Sequence, residues 1–158
     1  MERAGGVQVR PVTTHDLVDL LPLMRAYCTF YETDPADEDL RAMATAFLGE
    51  GAAGTQLIAR DGSGDALGHA TVLWSWDTTL ARPFAVMEDL FVVEAARGRG
   101  VGAALIEGCR QLAADRGREW LAWVTAPDNA TAQRLYDGLA ARAGTWLAYR
   151  LPTDRPAT

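Results

Sequence analysis

The pattern of apolar and polar positions predicts that short strands and amphipathic helices succeed one another along the chain. Residues 7–12 alternate with a period of two, which is typical of a half-buried strand. Apolar side chains then recur at helical spacing over residues 17–27 and again over 40–47, so two helices follow this strand. Pro22 lies inside the first of them and predicts a kink or a restart.

The middle of the chain has the pattern of an antiparallel meander. Residues 56–60 and 66–76 read as strands, and the Asp-Gly-Ser-Gly-Asp segment at 61–65 supplies the turn between them. A third strand is predicted over residues 84–93. These three segments predict neighbouring strands of one sheet.

The second half of the chain returns to helical spacing. A helix is predicted over residues 98–116, followed by a strand at 119–125, a helix at 129–140 and a last strand at 145–151. The predicted order is β-α-α-β-β-β-α-β-α-β, which indicates an α/β (α+β) fold.

Length and composition agree with a single domain. The chain has 158 residues, of which 49% are apolar, and we expect one domain over residues 1–151 and a short disordered tail at 152–158. No apolar run reaches the roughly 18 residues of a membrane span, and residues 1–10 lack the apolar core of a secretory signal. A cytoplasmic protein with no membrane partner is therefore expected.

Net charge and cysteine content indicate which kinds of partner and site are to be expected. The formal net charge of −6 argues against nucleic acid as a partner and is compatible with a small cationic substrate. Cys28 and Cys109 lie far apart, with no Cys/His cluster, so neither a metal site nor a disulfide is expected.

The most informative segment is the strand at 87–93 and the run Arg-Gly-Arg-Gly-Val-Gly at 97–102, which leads into a helix. Glycines at such a turn let main-chain N–H groups face a bulky anion, and the helix N-terminus and two arginines add positive charge. The segment therefore favours a pyrophosphate cradle over a glycine-rich turn without a ligand. It is neither a P-loop nor a dinucleotide fingerprint, because the spacings differ.

With these residues the chain resembles the GCN5-related N-acetyltransferase (GNAT) superfamily. Arg97, Gly100 and Gly102 match its cofactor motif, Gln/Arg-x-x-Gly-x-Gly/Ala. The runs at 88–92 and 123–136 resemble those of the spermidine/spermine and thialysine acetyltransferases and of the yeast-type histone and D-amino-acid acetyltransferases. The resemblance implies a mixed, mostly antiparallel sheet with a splayed parallel strand pair and about four helices.

The activity implied is direct acetyl transfer from acetyl-CoA to the primary amine of a polyamine, an amino acid or an amino sugar. A main-chain contact between the pantetheine arm and Phe91 and Val93 is implied as well. The residues that would bind the cofactor are Leu90, Phe91, Val92, Val93, Arg97, Gly98, Arg99, Gly100, Val101, Gly102, Asn129 and Tyr136.

Two catalytic roles follow from the resemblance. Tyr136 would return a proton to the leaving thiolate, although its helical spacing also suits a core aromatic residue. Glu88 and Asp89 interrupt an apolar strand and should point to opposite faces. They would bind the substrate amine, with Glu88 as the base; a structural ion pair with an arginine is the equal alternative.

The residues on the acceptor side of the predicted site allow two interpretations each. Tyr31 and Glu32 lie in the first helix–helix connection, which lines the acceptor pocket in this superfamily, but the acidic run at 32–39 also suits a solvated loop. Trp74 and Trp76 share a strand face and would form either a pocket wall or the contact of a homodimer.

The two histidines are candidates for a general base, but both lie outside the motif region. Structural roles are therefore expected for His15 and His69.

Two alternative functions remain. The chain could be an acetyltransferase for a protein or peptide amine, or a non-catalytic acyl-CoA sensor.

Overall fold

The computed structural model describes residues 6–140 and 142–153, and a five-stranded sheet forms its centre. The strands lie side by side in the order of the sequence. They are β1 (Gln8–Pro11), β2 (Gly54–Arg60), β3 (Ala66–Asp77), β4 (Arg82–Val92) and β5 (Leu121–Ala122). The first four strands are antiparallel, and β5 runs parallel to β4.

Four α-helices cover the sheet, and two short 3-10 turns precede the first and the third of them. The helices are α1 (Leu17–Phe30), α2 (Asp37–Ala46), α3 (Val101–Asp115) and α4 (Ala130–Asp137), and the 3-10 turns span Thr14–Asp16 and Glu94–Ala96. The predicted mixed sheet with a parallel strand pair and about four helices is thus confirmed. None of the helices in the described ranges has the length and hydrophobicity of a membrane span.

The period of two along the strands divides the core between the two faces of the sheet. On β2, Ile58 packs with α1 and α2, whereas its neighbours Leu57 and Ala59 pack with α3. The α1/α2 side is closed by Leu20, Met24, Leu40, Ala44 and Phe91, and the α3 side by Ala70, Val72, Val101, Leu105 and Cys109. Both faces of β2 and β3 are therefore buried.

A buried carboxylate secures the start of α1. Asp16 accepts hydrogen bonds from the N–H and hydroxyl of Thr13, each 2.8 Å long, and from the guanidinium groups of Arg10 and Arg60. Helix α1 then continues through Pro22 to Phe30, so the predicted restart does not occur.

The predicted last strand, residues 145–151, is wrong. The segment has no strand partner in the described part of the chain, although its alternating pattern suits a strand. Its large apolar side chains, Trp146, Leu147, Tyr149 and Leu151, are between 80% and 91% exposed. Strand β5 is also shorter than the predicted 119–125, because only two of its residues pair with β4. Of the predicted tail, residues 154–158 lie outside the described ranges.

Candidate active site

The turn between β4 and α3 has the geometry of an anion cradle. Gly98 and Gly100 have φ values of 71° and 83°, in the left-handed region where a side chain is strained. Gly100 caps α3, and the first main-chain bond of this helix runs from Ala104 N–H to the Gly100 carbonyl at 3.0 Å. The N–H groups of residues 101–103 therefore lack main-chain acceptors within the described residues, and they can donate to an anion.

The two arginines of the cradle differ in placement. Arg97 donates from Nε to the carbonyl of Val92 at 3.0 Å, and its guanidinium carbon lies 6.0 Å from the centroid of the Phe91 ring. These contacts hold Arg97 at the rim of the cavity described below. Arg99 is exposed and does not line that cavity.

Strands β4 and β5 separate just before the cradle. They pair only where Ala85 faces Leu121 and Val86 faces Ala122, so β4 continues beyond residue 86 without a neighbour on this side. This opening is the splay that the resemblance implied.

The main-chain groups that face the opening are those of Leu90 and Val92. The N–H of Val93 donates to the carbonyl of Leu67 at 2.9 Å, so the main chain of Val93 faces β3. By the alternation of an antiparallel ladder, Phe91 also faces β3, and Leu90 and Val92 face outward. The main chain of Phe91 and Val93, which the resemblance implied for the pantetheine contact, is therefore turned to β3, and that of Leu90 and Val92 is open.

A cavity of about 470 Å³ extends from the cradle along this opening to α1. Most of the predicted site residues line it, namely Tyr31, Glu88, Asp89, Leu90, Phe91, Val92, Arg97, Gly98, Gly100, Val101, Gly102, Asn129 and Tyr136. Three do not: Val93 packs into the core, and Arg99 and Glu32 are exposed and lie outside the lining.

A β-bulge brings both predicted carboxylates to this cavity. Thr71 of β3 faces Asp89, but the next residue, Val72, faces Met87, so Glu88 is the extra residue of β4. Bulges re-aim side chains in this way beside active sites. The strict alternation that predicted opposite faces for Glu88 and Asp89 is therefore broken, and both residues line the cavity.

Asp89 is the buried member of the two. Burial tends to raise its pKa, but the neighbouring His69 and Thr71 side chains outweigh burial and hold the pKa below its ordinary value. Neither Glu88 nor Asp89 forms an ion pair with an arginine in the described ranges, which argues against the structural alternative.

Tyr136 lies on α4, opposite the cradle. Its ring packs edge-to-face against Trp123, with the centroids 5.4 Å apart. Burial raises the pKa of Tyr136, and the nearby Tyr31 hydroxyl adds to the rise, so the phenol stays protonated and available as a proton donor. Asn129 caps α4 by accepting from Ala132 N–H at 3.2 Å, which fixes this helix at the cavity wall.

The aromatic residues and the acidic run of the first helix connection separate in the structure. Tyr27, Phe30 and Tyr31 line the cavity, and the Tyr31 ring lies 5.0 Å from Tyr27 and 5.1 Å from Phe30. Two acidic residues of the run instead bind Arg25, Asp34 at 2.9 Å and Asp37 at 2.5 Å. The acidic run thus forms a solvated connection and the first turn of α2, tied to Arg25 of α1, and the aromatic residues form the rim.

His69, for which a structural role was expected, lies beside the site. The side chain is 1% exposed, and its Nδ1 lies 3.4 Å from Oδ1 of Asp89. The available signal was its position on an apolar strand, two residues before Thr71, but the register with β4 is a tertiary property. Trp74 and Trp76 do not line the cavity, so they do not form a pocket wall.

Comparison with known proteins agrees with this geometry. The model of the Acetyltransferase (GNAT) family matches residues 18–139, and the chain belongs to this family. The uncharacterized N-acetyltransferase YhfO of Bacillus subtilis is 27% identical over 131 residues, covering 83% of this chain and 87% of that protein. The D-amino-acid N-acetyltransferase HPA3 of Saccharomyces cerevisiae is 38% identical over 78 residues, about half of each chain.

The fold recurs in solved structures. The aminoglycoside N-acetyltransferase AAC(6')-Iy in complex with CoA superposes with a TM-score of 0.81 at 21% identity, covering 97% of this chain and 99% of that one. At this identity the likeness concerns the fold alone. Family membership makes the chain an acyl-CoA N-acyltransferase that uses acetyl-CoA.

The residues present suit that cofactor. The open N–H groups of residues 101–103 and the left-handed glycines can receive a pyrophosphate, and the outward main chain of Leu90 and Val92 can pair with the amides of the pantetheine arm. Acetyl-CoA, when bound, would supply the acetyl thioester.

Proposed function

We propose that the acceptor is the primary amine of a small cationic molecule, such as a polyamine, an amino acid or an amino sugar. The observation that carries this proposal is the pair of carboxylates, Glu88 and Asp89, in a cavity rimmed by Tyr27, Phe30 and Tyr31. Carboxylates and aromatic faces both attract an ammonium group. Relatives that act on D-amino acids and aminoglycosides by name support the same class.

The proposed roles follow from exposure. Glu88 is exposed to the cavity and accepts the proton of the bound ammonium, so that the nitrogen lone pair can attack the acetyl carbonyl. Asp89 is buried and holds the positive charge of the acceptor. Tyr136 gives its proton to the departing sulfur and regains a proton from the second N–H that the nitrogen loses as the amide forms, whereas the first amine proton passes to solvent through Glu88.

A thiol-release assay with acetyl-CoA and a panel of amines tests this function. We expect turnover with polyamines, amino acids or aminoglycosides, and a loss of about a hundredfold in kcat/KM for the Glu88→Gln variant. Glu94→Gln removes the same charge from an exposed residue outside the cavity, so it serves as the matched control.

The panel also separates the alternative functions. Turnover of basic peptides alone would indicate a protein or peptide acceptor, and no turnover of any amine would favour an acyl-CoA sensor. Equal activity of Glu88→Gln and Glu94→Gln would remove Glu88 as the base.

We further propose that the chain works as a cytoplasmic homodimer. The support is the apolar segment 146–151, whose large side chains are almost fully exposed and would be covered by a second copy. Light scattering of the purified wild type should give twice the mass of one chain. The double variant Trp146→Ser/Tyr149→Ser should give the mass of one chain. A monomeric wild type would contradict the proposal.

A further inference from the structure

A buried imidazole–carboxylate pair lies directly beneath the acceptor side of the cavity. His69 on β3 and Asp89 on β4 are diagonal cross-strand neighbours on one face of the sheet, because His69 faces Phe91 and Asp89 lies two residues before Phe91; Nδ1 and Oδ1 are 3.4 Å apart. Their side chains are 1% and 13% exposed, and only Asp89 lines the cavity. Asp89 is therefore the part of the pair that a ligand can reach.

The surroundings of the pair are polar but sparse. Thr71 faces Asp89 across the strands, and Gln56 donates to the Thr71 hydroxyl at 3.2 Å. Within the described residues neither nitrogen of His69 has a hydrogen bond of good geometry, and the same holds for Oδ1 of Asp89. Buried polar atoms of this kind are uncommon in cores and call for an explanation.

Three other titratable groups of the described residues lie near the pair. Tyr27 faces it from α1, with its ring centroid 6.1 Å from that of His69, Glu88 adjoins it on β4, and Cys109 of α3 lies across the sheet, close enough for the charge of Asp89 to act on its thiol. Burial and the charge of Asp89 raise the pKa of the Cys109 thiol to about 12, and the same two causes raise the pKa of Tyr27. Both groups therefore stay neutral near pH 7.

We propose that His69 is a positioning residue that keeps Asp89 ionised at the floor of the cavity, so that Asp89 binds the ammonium group of the acceptor. His69 does not touch the substrate and acts through Asp89. This inference rests on the proposed function, because it assigns the charge that holds the amine. It also explains why a histidine occupies a buried position on an otherwise apolar strand.

Removing His69 should have a pH-dependent effect on substrate binding. Without the imidazole, burial would act on Asp89 with little opposition, and the pKa of Asp89 would rise. In His69→Phe, KM for the amine should therefore increase about tenfold at pH 6 and recover as the pH rises, whereas kcat and KM for acetyl-CoA change little. His69→Asn keeps a donor near the position of Nδ1 and should recover part of the loss.

Gln56→Met is the control for damage to the buried layer. It replaces a buried polar side chain by an apolar one and removes no contact with Asp89. We expect it to lower the melting temperature without a pH-dependent change in KM. Were His69 merely structural, His69→Phe would behave like Gln56→Met, and that result would overturn the inference.

A second measurement does not need an acceptor. The free energies of unfolding of wild type, His69→Phe, Asp89→Asn and the double variant form a cycle that we would measure from pH 5 to pH 8. Coupling between the two side chains is expected, and additivity at every pH would refute it. If the wild type acetylates none of the amines, the proposed function has failed, and this cycle then tests only whether His69 stabilises the Asp89 carboxylate.

Discussion

Gly102 offers a sharp test of the cradle, because two different reasons for a glycine can be separated there. A Cβ at this position would lie 3.0 Å from Cδ2 of Leu135 on α4 and 3.9 Å from Cγ2 of Val92 on β4. Carbon atoms in contact prefer 3.5–4.0 Å, so a side chain would displace Leu135 by roughly half an ångström. The first reason for a glycine is thus the close packing of α3 against α4.

The second reason is approach of the pyrophosphate to the main chain. The Gly102 N–H is one of the open donors of α3, and a hydrogen bond to a charged group contributes about 1.5–3 kcal/mol. Loss of one such bond in Gly102→Val should weaken CoA binding about tenfold to a hundredfold.

Calorimetric titration with CoA measures this loss, and Leu135→Ala distinguishes the two reasons. Leu135→Ala removes the atom that a Cβ at 102 would meet, so it should restore CoA affinity to Gly102→Val only if the glycine serves packing. We expect no restoration, with Leu135→Ala alone as the reference. Wild-type affinity in Gly102→Val, or full restoration in the double variant, would refute the cradle argument.

Three further predictions concern single side chains. Tyr136→Phe should lower kcat about a hundredfold and leave CoA affinity nearly unchanged, because the ring contact with Trp123 persists without the hydroxyl. If the variant and the wild type had equal turnover at all pH values, Tyr136 would not be the acid. Asp16→Asn should reduce the free energy of unfolding by about 2 kcal/mol at pH 7. Hydrogen bonds from Arg10 and Arg60 lower the pKa of Asp16 in the folded state, so its contribution is present above the unfolded value of about 4 and declines as the pH falls below it. Urea unfolding at pH 7 and pH 3 should show the variant approaching wild type at the lower pH. Gly98→Ala should lower the free energy of unfolding by about 1 kcal/mol in a thermal melt, because φ at Gly98 is 71° and an added Cβ would meet no atom within 4 Å. Gly62 is equally open but has no positive φ, so Gly62→Ala should not lower it.

The sequence predicted those parts of the fold that local periodicity determines. The hairpin at 61–65, the helix after the cradle and the order of the elements through α4 all follow from spacing and glycine positions. The cradle itself could be predicted because helix N-termini and left-handed glycines have a local signature.

Pairing between distant segments could not be predicted in the same way. Residues 145–151 alternate like a strand, yet no neighbouring main chain accepts them within the described residues. An alternating pattern shows what a segment could form, and the partner edge is a tertiary property. For the same reason a strand was expected over the whole of 119–125, whereas the splay from β4 leaves residues 123–125 without a paired strand within the described residues.

The extra residue in β4 explains how two adjacent carboxylates come to share one cavity and still differ in environment. Without the bulge at Glu88, alternation would have directed one of them into the α3 side of the core. With it, Glu88 is exposed and can exchange a proton with solvent, whereas Asp89 is buried beside His69 and retains its charge. One carboxylate is thus suited to proton transfer and the other to charge recognition. Acetylation of a cationic amine needs both carboxylates. A carboxylate that accepted the proton of the amine would become neutral, so it could not bind the positive charge of the amine in the same step.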